Sequence, residues 1–155
     1  MVKIKKNEHV NLFKKINPLC KESSFNTRIL NRPTLVYTHS AADLNVDHRV
    51  VANAVLTAFR PQPNEICKEL RLFEVASATD YGNSAITGSF CPNLFIDISG
   101  EWSDKSESLK AYLVEMREYP HSRSIEAIKN LSRLRGSQVG FKMAEAFEVI
   151  RKLEK

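Results

Sequence analysis

No apolar run in the sequence approaches the roughly 20 residues that a membrane-spanning helix requires, so a bilayer span is not expected. The first fifteen residues carry Lys3, Lys5, Lys6, Lys14 and Lys15 but no apolar core of a secretory leader, which makes the cytoplasm the expected location. Cysteine is scarce. Cys20, Cys67 and Cys91 are odd in number, and no two lie close enough for a metal knuckle. That argues against a disulfide framework, and they read as reduced thiols, with Cys20 and Cys67 partly exposed. Internal repeats, low-complexity tracts and recognised nucleic-acid modules are also lacking.

What remains is the composition of an ordinary globular domain, 155 residues long, 43% hydrophobic and 26% charged. One core of real size is expected. The net charge of +5 has two readings. One is a solvated basic tail plus basic helix faces. The other is an anionic partner such as a nucleic acid. The first is preferred, because the N-terminal lysines and the basic C-terminal end supply much of the excess.

Hydrophobic spacing divides the chain into strands and helices. Val10, Phe13 and Ile16 fit a short helix ending near Pro18. Residues 34–38 read as a buried strand started by Pro33. Val51, Ala54, Val55, Ala58 and Phe59 then share one face of a helix over about 47–60, capped by Asn45 or Asp47 and ended by Pro61 and Pro63. Residues 70–76 are a second strand, 77–93 a long polar loop, and 94–98 a third strand. A helix over about 103–118 points Leu109, Tyr112, Leu113 and Met116 inward. Another, over about 124–135, carries Ile125, Ile128, Leu131 and Leu134, and Gly136 stops it. The segment 143–153 fits either a helix, through Met143, Ala146, Phe147 and Ile150, or a strand. Strands alternating with helices predict an α/β fold with a mostly parallel sheet flanked by helices.

The polar cluster at 39–48 stands out. His39, Asp43, Asn45, Asp47 and His48 sit where a strand hands over to a helix, a crossing where α/β proteins bind ligands. A neutral imidazole at His48 suits Zn²⁺, and a carboxylate beside it can fix the histidine's tautomer. The alternative is that Asn45 and Asp47 cap the helix and His48 is only a first-turn residue.

The run Thr38-His39-Ser40-Ala41-Ala42-Asp43-Leu44-Asn45-Val46-Asp47-His48-Arg49 resembles the second signature of the LmbE/PIG-L-like deacetylases. These are zinc-dependent hydrolases that remove acetyl groups from N-acetylglucosamine-type sugars. Further segments are similar to the same family: Ala78 to Gly82, Phe90 to Ser99, His121 to Ile128, Arg135 to Gly140 and Ala144 to Glu148. The resemblance covers about residues 33–150. It implies an incomplete Rossmann-like sheet, with 1–32 a divergent basic segment and 33–155 the C-terminal portion of the deacetylase domain. It also favours a strand for the last segment.

The resemblance assigns residues as well. His48 corresponds to a zinc ligand. Asn45 stands where a residue that stabilises the oxyanion is found, and can donate a hydrogen bond but not act as an acid. Asp47 would orient neighbouring groups. His39, Asp43, Asp80 and Tyr81 are assigned to substrate contact, with His39, Asp43 and His48 an alternative rebuilt metal set. For His121 and Arg123 the alternatives are a sugar or subunit contact and a surface cap. Asp97 reads as a structural hydrogen-bonding residue, Trp102 as a packing residue, and Arg133 and Arg135 as part of a solvated helix face. The family's first signature, His-Pro-Asp-Asp, supplies two zinc ligands and the general base, and neither a His-Pro nor an Asp-Asp pair occurs here. Little or no activity is therefore expected of this chain alone. The expected partners are a sugar-conjugate substrate, a second copy, and a complementing N-terminal half or full-length relative. The rival reading is a non-catalytic binding or assembly module that pairs with a separately encoded N-terminal half or a full-length relative.

Overall fold

The computed structural model describes residues 22–24, 26 and 31–154. The expected helix at Val10 to Ile16, the lysine cluster and Cys20 lie outside the described residues.

Four strands form one sheet in the order β1-β2-β4-β3. They are β1 (Leu35–His39), β2 (Glu69–Phe73), β3 (Leu94–Asp97) and β4 (Ala144–Lys152). The helices are α1 (Val46–Ala58), α2 (Ser84–Thr87), α3 (Trp102–Lys110) and α4 (Ile125–Ser137). The α/β class and the helix-flanked sheet are as expected. The pairing is more mixed than a mostly parallel sheet. β1 and β2 run parallel, while β4 is antiparallel to both β2 and β3. The reason lies in one strand. β4 inserts between two strands that point the same way, so its reversed direction makes both of its pairings antiparallel.

β4 also settles the ambiguous last segment. A strand between two others is buried on both faces and loses the simple alternation that betrays an edge strand. Ala144, Ala146 and Phe147 are all buried. Leu70 pairs with Arg151 and Arg71 with Val149, so Ile150 is the extra residue of a bulge.

Between β1 and β2 the chain crosses through α1. Asn45 caps this helix by accepting a hydrogen bond from the Asp47 N–H at 2.9 Å. Ala58, Phe59, Cys67 and Leu70 form a core cluster, with Val36, Val55 and Leu56 packed against it. Cys67 is only 1% exposed, contrary to the partial exposure expected. Its thiol donates to the Glu69 carbonyl at 3.4 Å, and burial pushes its pKa up. Cys91 is exposed. β1 is less buried than expected, with Leu35 37% and Tyr37 45% exposed. Among the described residues it pairs only with β2.

The expected helix over 103–118 ends at Lys110. After it, Ala111 and Tyr112 bond to the carbonyls three residues back, and the chain turns. Tyr112 and Leu113 therefore lie 50% and 71% exposed rather than inward. Within the expected 77–93 loop, α2 forms a single turn capped by the Asn83 side chain. Asp97 accepts from the Ser99 N–H at 2.9 Å and hydroxyl at 2.5 Å, the structural role expected of it. No helix among the described residues is long and apolar enough to cross a membrane.

α4 begins at Ser124, whose hydroxyl accepts from the Ala127 N–H at 3.0 Å. Leu134, expected on its inward stripe, is 54% exposed. Gly136 does not stop α4 but lies inside it, because closeness rather than backbone freedom is what this position needs. A Cβ there would sit 2.7 Å from the Phe141 carbonyl and 2.8 Å from the Met143 backbone. Alanine favours a helix by about 1 kcal/mol over glycine, yet the clash involves backbone, which cannot turn aside. Gly136→Ala is expected to destabilise the chain by about 1–3 kcal/mol in urea unfolding. An unchanged or higher midpoint would contradict the close approach of α4 to the start of β4.

Candidate functional site

β1 and β2 are parallel and in register up to His39 and Phe73, so both deliver their carboxyl ends to one place. The Ser40 N–H extends the ladder by bonding to the Phe73 carbonyl at 3.2 Å. A tight turn follows. The Ser40 hydroxyl accepts from the Ala42 N–H at 3.0 Å. The Leu44 N–H then reaches the Ala78 carbonyl at 2.8 Å, which ties this turn to the loop after β2.

Asp43 lies at the centre and is 0% exposed. One carboxylate oxygen meets His48 Nδ1 at 2.8 Å. The other accepts from the Thr79 hydroxyl at 2.5 Å. Thr79 is itself held by the Val75 N–H at 2.7 Å. Arg49 covers the same turn, its Nη1 donating to the carbonyls of Asp43 and Leu44 at 2.8 and 2.7 Å. A carboxylate only accepts, so His48 Nδ1 carries the proton of this bond, and in the neutral imidazole Nε2 is then the nitrogen that keeps its lone pair. This is the arrangement in which a carboxylate orients a metal-binding imidazole.

His39 stacks on His48 with ring centroids 4.1 Å apart and planes at 22°. On its other flank it meets Phe73 at 4.9 Å. His39 Nδ1 is buried with no hydrogen-bond partner among the described residues. Its pKa is lowered to about 4, chiefly by burial and secondarily by His48, against a smaller opposing pull from Asp43.

These residues fit one zinc ligand and not a zinc site. No group of three His, Cys, Asp or Glu among the described residues can hold a metal ion. Asp43 is wholly buried, with one oxygen on His48 and the other on Thr79, which sets it apart from the alternative set of His39, Asp43 and His48 and from direct substrate contact. His39 does not complete a pair either. Imidazole lone pairs lie in the ring plane, and two nearly parallel rings do not aim them at one point.

The other expected site residues fall in several places. Asn45, the cap of α1, and Asp47, in its first turn next to His48, are both exposed. Asp80 is exposed and lines a cavity of about 240 Å³ together with Ala42 and Thr79. Tyr81, half exposed, meets the His121 ring edge-on at 6.3 Å. His121 Nδ1 accepts from the Arg123 N–H at 3.0 Å, the geometry of a turn cap. Arg123 pairs with Glu115 at 2.9 Å. Arg133 is exposed as expected, but Arg135 is not on a solvated face. Its Nε and Nη2 grip both oxygens of Glu74 at 2.9 and 2.6 Å. Thr79 and Arg49 carry no sequence signal of a site, yet both hold Asp43 in place.

The buried imidazole has a consequence for stability. His39 takes up its proton below about pH 6.5 when unfolded and only below about pH 4 when folded. Stability is therefore complete above pH 6.5 and declines as pH falls through 6.5 towards 4. With a chelator present, urea midpoints between pH 7 and pH 5 should fall less in His39→Asn than in the unaltered chain. Equal slopes would contradict a neutral, buried His39.

No protein-family model matches the chain, and no curated protein matches it. Solved structures do. The conserved protein TT1542 from Thermus thermophilus superposes with a TM-score of 0.65 at 18% identity, covering 89% of this chain and 61% of that one. Teicoplanin deacetylase Orf2, in its zinc-inhibited form, gives 0.65 at 17%, covering 100% and 59%. The N,N'-diacetylchitobiose deacetylase of Pyrococcus horikoshii, complexed with its inhibitor MPG, gives 0.60 at 14%, covering 87% and 52%. The chain thus spans about half to three-fifths of the length of each. The strand-to-helix crossing that holds His48 belongs to a chain with the fold of these three proteins, two of them deacetylases.

Proposed function

We propose that this chain supplies one wall of a site that removes the N-acetyl group from N-acetylglucosamine-type sugar conjugates. His48 is the single zinc ligand it contributes. The remaining ligands and the general base come from outside residues 33–155, in an N-terminal half or a full-length relative. The observation that carries this reading is the His48 Nδ1 to Asp43 bond of 2.8 Å, which leaves Nε2 free at the end of a parallel strand pair. The fold shared with two deacetylases, over only part of their length, supports it.

Asn45 suits an oxyanion role. Its Oδ1 is engaged in capping α1, and the amide NH₂ is left to donate to a developing negative charge. Asp47, exposed one residue before His48, is placed to orient neighbouring groups. A cytoplasmic location goes with this reading, since Cys67 and Cys91 are free thiols. The second reading, a non-catalytic binding or assembly module, draws on the lack of a three-ligand group among the described residues.

The purified chain with Zn²⁺ is expected to release no free amine from N-acetylglucosamine conjugates above background. Addition of the N-terminal half should bring one-to-one zinc binding and amine release, and His48→Ala should abolish both. Robust release by the chain alone would contradict the incomplete site. Zinc-free, inactive complexes would favour the binding module.

A further inference from the structure

The Asp43 carboxylate aims the His48 ring, but its own torsion does not hold that aim. Rotation about the Cβ–Cγ bond is soft, because terminal sp³–sp² torsions have broad minima. A single bond to His48 therefore leaves the carboxylate plane free to turn. A second anchor on the other oxygen fixes the plane. Among the described residues the donor found there is the Thr79 hydroxyl, at 2.5 Å.

Thr79 is placed to donate in one direction. The Val75 N–H, which can only donate, reaches the Thr79 oxygen at 2.7 Å. A hydroxyl has one proton. With its oxygen accepting from Val75, that proton is left for Asp43. The hydroxyl is also held from behind. The Thr79 N–H returns to the Val75 carbonyl at 2.9 Å, so side chain and backbone close the same turn twice. Branching at Cβ restricts the rotamer further. Other bonds dock this loop onto the 40–44 turn without the Thr79 hydroxyl. The Leu44 N–H reaches the Ala78 carbonyl at 2.8 Å, and the Thr87 hydroxyl reaches the Ala42 carbonyl at 3.0 Å.

We propose that Thr79 is a positioning residue that acts through Asp43 to hold His48 as the Nδ1–H tautomer. An imidazole side chain free in water favours the proton on Nε2, so the opposite tautomer has to be imposed. A carboxylate locked by Thr79 imposes it, because one oxygen then stays in line with Nδ1 at 2.8 Å. The functional meaning rests on the reading of His48 as a zinc ligand, since Nε2 is the nitrogen left for the metal. The tautomer itself exists without metal and is measured without it.

Nitrogen-15 NMR of the His48 ring, in the metal-free full chain at neutral pH, is the test. Thr79→Val, close in shape but lacking the hydroxyl, should raise the ratio of Nε2–H to Nδ1–H about tenfold, the effect of losing one hydrogen bond to a charged group. Thr79→Ser keeps the hydroxyl and should keep the ratio of the unaltered chain. Thr87→Val removes a bond of the same loop that does not involve Asp43, and should leave the ratio unchanged whatever it does to the urea midpoint. Should Thr79→Val fail to fold, the unaltered chain gives a second readout. Deuteration of the Thr79 hydroxyl is expected to shift the NMR signal of the Asp43 carboxyl carbon across the hydrogen bond. An unchanged ratio in folded Thr79→Val, a raised ratio in Thr79→Ser, an equal rise in Thr87→Val, or no isotope shift at Asp43 would overturn the proposal. A ratio that behaves as stated, in a chain whose reconstituted complex takes up no zinc, supports the role of Thr79 and contradicts the zinc reading instead.

Discussion

A carboxylate wholly removed from water must have its oxygens satisfied by fixed donors, or the fold that buries it does not persist. Asp43 is such a group, at 0% exposure, and its two donors come from different parts of the chain. His48 belongs to the first turn of α1, and Thr79 to the loop after β2, 36 residues away from Asp43. This one side chain thus fixes the exit of β1, the entry of α1 and the course of the next loop. The orientation of the His48 ring is a consequence. So is the packing of His39 between His48 and Phe73.

The sheet determines what can be placed near this anchor. Because β1 and β2 are parallel, their carboxyl ends meet at the same edge, the place where open α/β sheets bind ligands. The reversed strand β4 brings the start of its own run to the same end. On the other side of β1 the described residues place no strand, and Leu35 and Tyr37 remain partly exposed. An open sheet edge of this kind is where a further strand would add. That fits the reading in which the rest of the site is supplied from outside residues 33–155.

The sequence revealed the parts of this structure that depend on local pattern. The face of α1, the Asn45 cap, the Ser124 start of α4 and strands β1 to β3 all follow from spacing and capping chemistry. The polar run at 39–48 could be read as a site because five polar groups at a strand-to-helix crossing have no packing explanation. The features that could not be read depend on distant partners. Arg135 looks solvated until Glu74, 61 residues away, is found beside it. Asp43 reads as a substrate contact until Thr79 and His48 are seen to take both oxygens. Gly136 reads as a helix stop until the Met143 backbone is seen against it. The early end of α3 has no glycine or proline to announce it.

Asp43 holds the neutral His48 ring with its proton on Nδ1 and its lone pair on Nε2. Long-range proton–nitrogen NMR correlation of the His48 ring in the metal-free chain at neutral pH reads this directly. The Nδ1–H tautomer is expected, and its loss when Asp43 is replaced by Ala. A dominant Nε2–H tautomer in the unaltered chain would contradict it.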